Sequence, residues 1–164
     1  TEIFIPPTVS KICDNAFYKC YQLSKVEISP NSNLQIIGKH AFELTNITQI
    51  FIPSSVSKIC ESAFSDCKKL SKVEISPDSN LQAIGIYAFA STNITQIYIP
   101  SNISELCANT LYCCINLQIL EISEESKLQS LDSNIFGYEV PEKIIIMIPH
   151  DIQKTIKIIV DSNN

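Results

Sequence analysis

The chain has 164 residues, a formal net charge of −5 and a hydrophobic fraction of 45%, which favour a single domain with a buried core and exclude disorder. All twelve basic residues are Lys, so the guanidinium fork that recognises phosphates and base edges is missing and we expect no nucleic-acid partner. Only three glycines occur, which excludes a glycine-rich phosphate loop, and no apolar run approaches the roughly 20 residues of a membrane span.

An internal repeat of 47 residues determines the predicted architecture. Residues 7–53 and 54–100 are identical at 32 of 47 aligned positions. Each period contains two half-units of 23 or 24 residues, marked by Ile5, Ile28, Ile52 and Ile75. A half-unit of this length cannot bury its own apolar face, so we predict that half-units stack as the coils of a solenoid.

Each half-unit begins with a short strand in which β-branched residues alternate with other types in period two. The predicted strands are, in chain order, Glu2–Ile5, Lys25–Ile28, Gln49–Ile52, Lys72–Ile75, Gln96–Ile99, Ile119–Ile122 and Ile144–Ile148. Alternate strands end in Pro, which has no N–H to donate and so ends the ladder there. Equivalent strands of successive coils run in the same direction, so the predicted sheet is parallel.

An Ala-Phe pair follows the strand in most half-units. The pairs are Ala16-Phe17, Ala41-Phe42, Ala63-Phe64 and Ala88-Phe89, with Thr110-Leu111 and Ile135-Phe136 as weaker equivalents. These segments are too short for long helices. We predict that they form one or two helical or 3₁₀ turns on the wall opposite the sheet.

A longer phrase contains both features: I-P-x-x-V-x-x-I-x-x-x-A-F-x-x-C-x-x-L-x-x-V-x-I. It stands at Ile5–Ile28 and Ile52–Ile75, with an eroded copy at Ile99–Ile122. This pattern resembles the leucine-rich repeat of the BspA type. The resemblance covers about residues 1–148 and implies an α/β, right-handed solenoid with its parallel sheet on the concave face and short helical turns on the convex face. Residues 149–164 would then form a C-terminal cap or begin a further repeat.

The family resemblance also implies a function, namely adhesion and binding of host-matrix proteins at cell surfaces. Strand residues that do not point inward form an outward column of alternating aromatic and acidic side chains. Exposed aromatics in a polar frame suit protein binding. We predict that a protein ligand contacts Phe4, Lys25, Glu27, Phe51, Lys72, Glu74, Tyr98 and Glu121, with Phe51 and Tyr98 as its anchors. The alternative is that the aromatic residues recur only because the repeat unit was duplicated, and that they bind nothing.

Six of the seven cysteines recur with the repeat. Cys20, Cys67 and Cys114 occupy the family's usual Cys position and are predicted to be small buried groups. Cys13, Cys60 and Cys107 alternate with Gly38 and Gly85, and Cys113 replaces Asp66 and is predicted to be exposed. Neighbours in one column are about 10 Å apart, too far for a disulfide, whereas a bond within one unit such as Cys13–Cys20 stays open.

No constellation points to a cofactor, a metal or catalysis. The chain has no C-x₂-C pair and only two histidines, His40 and His150, which are predicted to lie in solvent. The acids of the outward column are evenly stacked about 10 Å apart without a cleft, so we predict a protein that is not an enzyme. Three N-glycosylation sequons, at Asn46, Asn93 and Asn102, would matter only in a protein secreted by a eukaryote.

Three functions stay open at this point. The first is an adhesin-like module at the cell surface or outside the cell. The second is an intracellular scaffold or regulatory subunit, because seven cysteines also fit a reducing compartment. The third is a structural spacer. A leader peptide and a membrane anchor would favour the first, but the chain begins inside a repeat, so a leader would not be visible.

Overall fold

The computed structural model describes residues 1–138, 141, 144–147 and 157–159. The strands are β1 (Glu2–Ile5), β2 (Lys11–Ile12), β3 (Lys25–Ile28), β4 (Ile36–Ile37), β5 (Gln49–Ile52), β6 (Lys58–Ile59), β7 (Lys72–Ile75), β8 (Ala83–Ile84), β9 (Gln96–Ile99), β10 (Ile119–Ile122), β11 (Ser130–Asp132), β12 (Ile145–Met147) and β13 (Lys157–Ile159). All pairings are parallel and join successive coils, so the chain is a β-solenoid. Each half-unit forms one coil.

The predicted strands form one side of the solenoid, which we call the long-strand wall (β1, β3, β5, β7, β9, β10 and β12). In the first six, the alternating Ile, Val and Leu side chains face the core and are buried, except Ile3, which is half-buried. The seventh strand is described only as Ile145–Met147, and its predicted last residue, Ile148, lies outside the described residues. The predicted boundary at residues 148–149 also lies outside the described residues. Of the predicted cap, only β13 is described, and it pairs with β11.

The long-strand wall is interrupted twice. Its strands form three separate sheets, β1–β3, β5–β7 and β9–β10–β12. Within a sheet, the residue after a strand continues the ladder: Ser76 N donates to Ile52 O and Ser123 N to Ile99 O, both at 3.0 Å. The corresponding residues after β5 and β9 are Pro53 and Pro100. Since Pro has no N–H, it cannot make this bond at either interruption, as the sequence predicts.

A second set of strands was missed by the sequence prediction. β2, β4, β6 and β8 form a parallel sheet of two-residue strands, which we call the short-strand wall. One residue of each strand is buried, and these are Ile12, Ile37, Ile59 and Ile84. A strand of two residues is too short to show a period, so it cannot be recognised from alternation.

The Ala-Phe segments form a third side, the turn wall, and the prediction of helical turns there is wrong. Each of the first five segments has two non-glycine residues with positive φ, such as Asn15 at 59° and Lys19 at 58°. The left-handed conformation breaks a helix after one turn. The only 3₁₀ turn among the described residues is Ser133–Ile135, in the last segment.

Hydrogen bonds between coils explain the geometry of the turn wall. The N–H groups of Asn15, Phe17 and Lys19 donate to carbonyl groups of the next coil at 2.8–2.9 Å. Those of Ala16, Tyr18 and Cys20 close tight turns three residues back at 3.0–3.2 Å. In a helix the N–H groups of Phe17 and Lys19 would bond four residues back within the segment and would not reach the next coil. The turn wall therefore adds a third hydrogen-bonded ladder along the solenoid.

The core side of the turn wall is a stack of phenylalanine rings. Phe17, Phe42, Phe64 and Phe89 lie face to face, with centroids 5.1, 5.3 and 5.4 Å apart and interplanar angles of 10° or less. The last three are fully buried. Leu111 and Phe136, the predicted weaker equivalents, are also buried in the core.

The cysteines of the family position behave as predicted in two coils out of three. Cys67 and Cys114 are fully buried, and burial raises the pKa of the Cys67 thiol to about 11. The Cys67 Sγ donates to Phe42 O at 3.0 Å and lies 3.3 Å from Thr45 Oγ1. Cys20 is exposed, contrary to the prediction, because no coil of the described residues packs on the side from which Phe42 and Thr45 cover Cys67. Cys113, predicted to be exposed, is half-buried.

The glycines between Cys13, Cys60 and Cys107 are required by close packing of the coils. A Cβ atom at Gly85 would lie 2.6 Å from Glu61 N and 2.7 Å from Cys60 C, and Gly38 faces the backbone of Cys13 and Asp14 in the same way. Backbone atoms cannot move aside as a side chain can. The alternation of Cys and Gly in this column therefore has a steric cause.

Candidate binding surface

The outward column lies in register on the outer face of the long-strand wall. Phe4 is paired with Glu27, Phe51 with Glu74, and Tyr98 with Glu121, which is followed by Met147. The three acids and Met147 are exposed, and Phe4 is 57% exposed. Phe51 and Tyr98 are half-buried. The column therefore offers apolar side chains that are accessible and also partly held by their neighbours.

A groove of about 620 Å³ crosses the first part of this face. Phe4 and Phe51 lie on either side of Glu27, and Lys25 and Glu74 also line the groove. The groove follows the interruption between β3 and β5, and Ser29 and Pro30 of the loop after β3 form its rim. Four of the predicted ligand contacts on β1, β3 and β5 are thus brought together with one from β7.

Lysines on β3 and β7 neutralise the acids beside them. Lys25 Nζ forms ion pairs with Glu27 and, at 3.6 Å, with Glu2. In the next period, Lys72 pairs with Glu74 on the equivalent strand, β7. The hydrogen bond to Glu27, together with the charge of Glu2, raises the pKa of Lys25. All of these groups face solvent, so the pairs add little to stability.

A second groove of about 500 Å³ lies over β10 and differs in charge. Tyr98 and Met147 flank Glu121, and the rim carries Glu124 and Glu125. Ile119 occupies the position that Lys25 and Lys72 hold in earlier coils. No ion pair to these three acids occurs in the described part of the chain. Glu121 was predicted from the strand column, whereas both rim acids were missed because they lie in a loop outside that column.

The asparagines of the three sequons are part of the framework. Asn46 Nδ2 donates to Tyr21 O at 2.6 Å and Asn93 Nδ2 to Lys68 O at 2.8 Å, each joining neighbouring coils. Asn102 Nδ2 donates to Ser79 O at 3.2 Å. A glycan on any of them would replace a proton of a side-chain nitrogen that donates a hydrogen bond to the neighbouring coil. Glycosylation stays a prediction for these sites.

The histidine within the described residues is not an isolated surface group. His40 is half-buried, pairs with Glu43, and its ring meets Tyr18 edge-on with centroids 6.3 Å apart. His150 lies outside the described residues. Across residues 1–138 and the shorter described stretches, no three His, Cys, Asp or Glu side chains are grouped so as to hold a metal ion. None of these residues belongs to a helix with the length and apolarity of a membrane span.

The repeat seen in this geometry matches a known family. The family model described as "BspA type Leucine rich repeat region" matches residues 1–118 and 74–157, with six copies. The chain belongs to the BspA-type leucine-rich repeat family. The predicted resemblance is thus confirmed, although the turn wall of this BspA-type chain is built from tight turns instead of helical ones.

Solved structures show the same fold. The leucine-rich repeat protein of T. pallidum is 20% identical to this BspA-type chain, with a TM-score of 0.77, and the match covers 89% of this chain and 68% of that one. The pneumococcal vaccine antigen PcpA is 21% identical, with a TM-score of 0.53, and the match covers 90% of this chain and 50% of PcpA. The chain thus spans about half the length of PcpA. No curated protein matches the chain in sequence.

Proposed function

We propose that the chain is a non-catalytic protein-binding module and that its binding surface is the outer face of the long-strand wall. The observation that carries this proposal is the registered column of Phe4, Phe51 and Tyr98 between exposed acids. Aromatic side chains supply large contact areas at a low cost in side-chain entropy. Half-burial of Phe51 and Tyr98 restrains their rings before a partner arrives, which lowers this cost further.

The proposed site of action is the cell surface or the extracellular space, with a host or matrix protein as ligand. Support comes from the family and from the fold shared with PcpA, which is described as a vaccine antigen. The resemblance predicts that the long-strand wall is concave, a shape that suits the capture of another protein.

A second candidate function is that of an intracellular scaffold using the same surface. The observation favouring it is that six cysteines carry free thiols, namely Cys13, Cys20, Cys60, Cys67, Cys107 and Cys114. Free thiols are typical of reducing compartments, whereas extracellular domains commonly form disulfides. The binding experiment below separates the two by the source of the partner.

The test is binding of the immobilised full chain to purified extracellular-matrix proteins and, in parallel, to a cytosolic lysate. The key variant is Phe51→Ala/Tyr98→Ala. The matched control is Tyr18→Ala/Tyr87→Ala, which also removes two rings but from the turn wall, where both are exposed. Thermal unfolding monitored by circular dichroism establishes that each variant is folded before binding is compared.

We expect a matrix protein to bind the wild-type and the turn-wall control equally, and to bind the Phe51→Ala/Tyr98→Ala variant at least about tenfold more weakly. A partner found only in the cytosol would favour the scaffold. Binding that survives loss of Phe51 and Tyr98 but not of Tyr18 and Tyr87 would place the site on the turn wall and contradict the proposal.

A further inference from the structure

One position on the long-strand wall lacks a positive charge that its counterparts carry. In the first two periods, an acid on the second strand of each sheet pairs with the lysine two residues before it. The pairs are Lys25–Glu27 on β3 and Lys72–Glu74 on β7. On β10 the acid is kept as Glu121, but Ile119 stands at the position of the lysine. The third period therefore keeps a place for a cation and does not supply the cation itself.

No other basic side chain of the described residues takes this place. The next lysine along the chain, Lys127, donates from Nζ to Asn102 Oδ1 at 2.7 Å instead. Glu124 and Glu125 add two further acids to the second groove. In the part of the chain that the structure describes, no ion pair reaches these two acids or Glu121. A ligand that brings positive charge would pair with carboxylates that now share one groove.

Apolar side chains accompany the acids, and an inorganic cation would make no use of them. On β12, Ile145 is 64% exposed and Met147 is 49% exposed. Ile145 is paired with Ile119, and Met147 lines the second groove together with the half-buried Tyr98. An exposed apolar patch with a polar rim is typical of a protein-binding site. The second groove thus suits a side chain that has a long apolar stem and a positive head.

We propose that the second groove binds an arginine side chain of the protein ligand. The guanidinium group lies between Glu121 and the loop of Glu124 and Glu125, and the stem lies against Tyr98 and Met147. This inference rests on the proposed function and specifies what one end of the surface recognises. Arg fits better than Lys because its planar group bonds two carboxylate oxygens at once and stacks on an aromatic ring. Its stem covers apolar surface while its head stays in water.

The test measures binding of the full chain to synthetic peptides by ¹H–¹⁵N NMR titration, which detects weak binding. Physiological ionic strength is used, because charges more than about 8 Å apart are then largely screened. The probe is Gly-Ser-Leu-Arg-Leu-Ser-Gly with both ends blocked. One control peptide has citrulline, which is neutral and of similar shape, in place of arginine, and the other has lysine. We expect the probe to bind at least about tenfold more tightly than the citrulline peptide, with the lysine peptide between them.

Two variants with the same change of net charge locate the peptide. The groove variant is Glu121→Gln/Glu124→Gln/Glu125→Gln, and the matched control is Glu2→Gln/Glu27→Gln/Glu74→Gln. The control removes acids that lysines already neutralise. The groove variant should weaken the probe about tenfold, whereas the control should leave its affinity nearly unchanged. Circular dichroism establishes that both variants are folded.

Several results would overturn the proposal. Failure of the probe to bind, or equal binding of the probe and the citrulline peptide, would show that the groove does not recognise a cationic side chain. Equal binding of the lysine peptide would remove the preference for arginine. An equal loss in the two variants would show attraction by net charge alone. Displacement of the probe by calcium at constant ionic strength would show that the acids hold a metal ion instead.

Failure of this inference is distinguishable from failure of the proposed function. If a purified matrix protein loses binding in the Phe51→Ala/Tyr98→Ala variant but not in the groove variant, the wall is a binding surface whose second groove does not recognise arginine. If the probe does not bind and no protein depends on Phe51 and Tyr98, both proposals are wrong.

Discussion

The first two periods, residues 7–53 and 54–100, and the third, which follows them, share an interior and differ in their exterior. Cys67 Sγ donates to Phe42 O at 3.0 Å, and Cys114 Sγ donates to Phe89 O at 3.1 Å. Each thiol also lies beside a buried Thr of the preceding coil, at 3.3 and 3.4 Å. The eroded third copy therefore retains the interior contacts of the second copy.

The exterior of the third period has changed in charge and shape. The pair Lys72–Glu74 is replaced by Ile119 and Glu121, and the loop that reads Pro77-Asp78 becomes Glu124-Glu125. An interior side chain is packed between two coils, so a change there requires compensation by both neighbours. An exterior side chain faces solvent on one side and is free to vary. Divergence is thus expected first where a ligand would bind.

The largest expected effect is loss of a ring from the phenylalanine stack. Phe64 lies between Phe42 and Phe89 and is fully buried. Phe64→Ala should lower the free energy of unfolding by about 3–5 kcal/mol, measured by urea denaturation. Leu111→Ala, in the third period, should cost about 2–5 kcal/mol because it also leaves a buried cavity. If Phe64→Ala cost no more than the exposed Phe4→Ala, the stack would not be part of the shared interior.

The next effect tests the close approach of coils. Gly85→Ala places a Cβ against the backbone of Cys60 and Glu61 and should cost about 1–3 kcal/mol by overpacking. Thermal unfolding measures it. The matched control is Ala83→Gly, two residues away on β8 in the same coil, which removes a methyl group and should cost about 0.5–1 kcal/mol. An unchanged melting temperature in Gly85→Ala would contradict the steric reason for the Cys and Gly alternation.

A smaller effect concerns pH. Burial keeps the Cys67 thiol neutral in the folded chain up to a pKa of about 11, whereas the unfolded thiol ionises near 9.0. Burial also raises the pKa of Cys114. The unfolded state therefore binds fewer protons between pH 9 and 11, so the free energy of unfolding should fall there, by up to about 1.4 kcal/mol per pH unit for one thiol.

The variant Cys67→Ala/Cys114→Ala should flatten this fall, measured by urea denaturation at pH 8, 9 and 10. Cys20→Ala is the control, because Cys20 holds the same repeat position but is exposed. A slope that is equal in the wild-type and the double variant would show that the buried thiols do not set it.

The smallest expected effect on stability comes from restoring the missing lysine. Ile119→Lys should form a pair with Glu121 like that of Lys72 with Glu74, and should change the free energy of unfolding by less than about 1 kcal/mol. Its effect on binding should be larger. A cationic ligand of the second groove should bind this variant more weakly, measured by calorimetry, whereas Ile119→Gln should leave it bound. Unchanged affinity in Ile119→Lys would show that the second groove is not used.

Prediction from the sequence was most successful for the long strands. Their register followed from the repeat, because Phe4, Glu27 and Phe51 recur at a fixed spacing and stacking brings equivalent positions together. The candidate site was predicted as a list of outward residues. Its division into two grooves of different charge was not predicted, since the rim residues Glu124 and Glu125 belong to a loop without period.

The sequence by itself determined that the chain is a stack of coils, which residues of the long strands face the core, and which family it belongs to. These properties follow from the 47-residue repeat and from the alternation of residue types within each strand. The tertiary structure decided the conformation of the turn wall, the existence of the short-strand wall and the hydrogen bonds of the buried Cys67 and Cys114. In each case the deciding contacts join residues about 22–25 positions apart, such as Asn15 N with Lys39 O. Local propensity does not contain such contacts, because the donors and acceptors meet only after the coils have stacked.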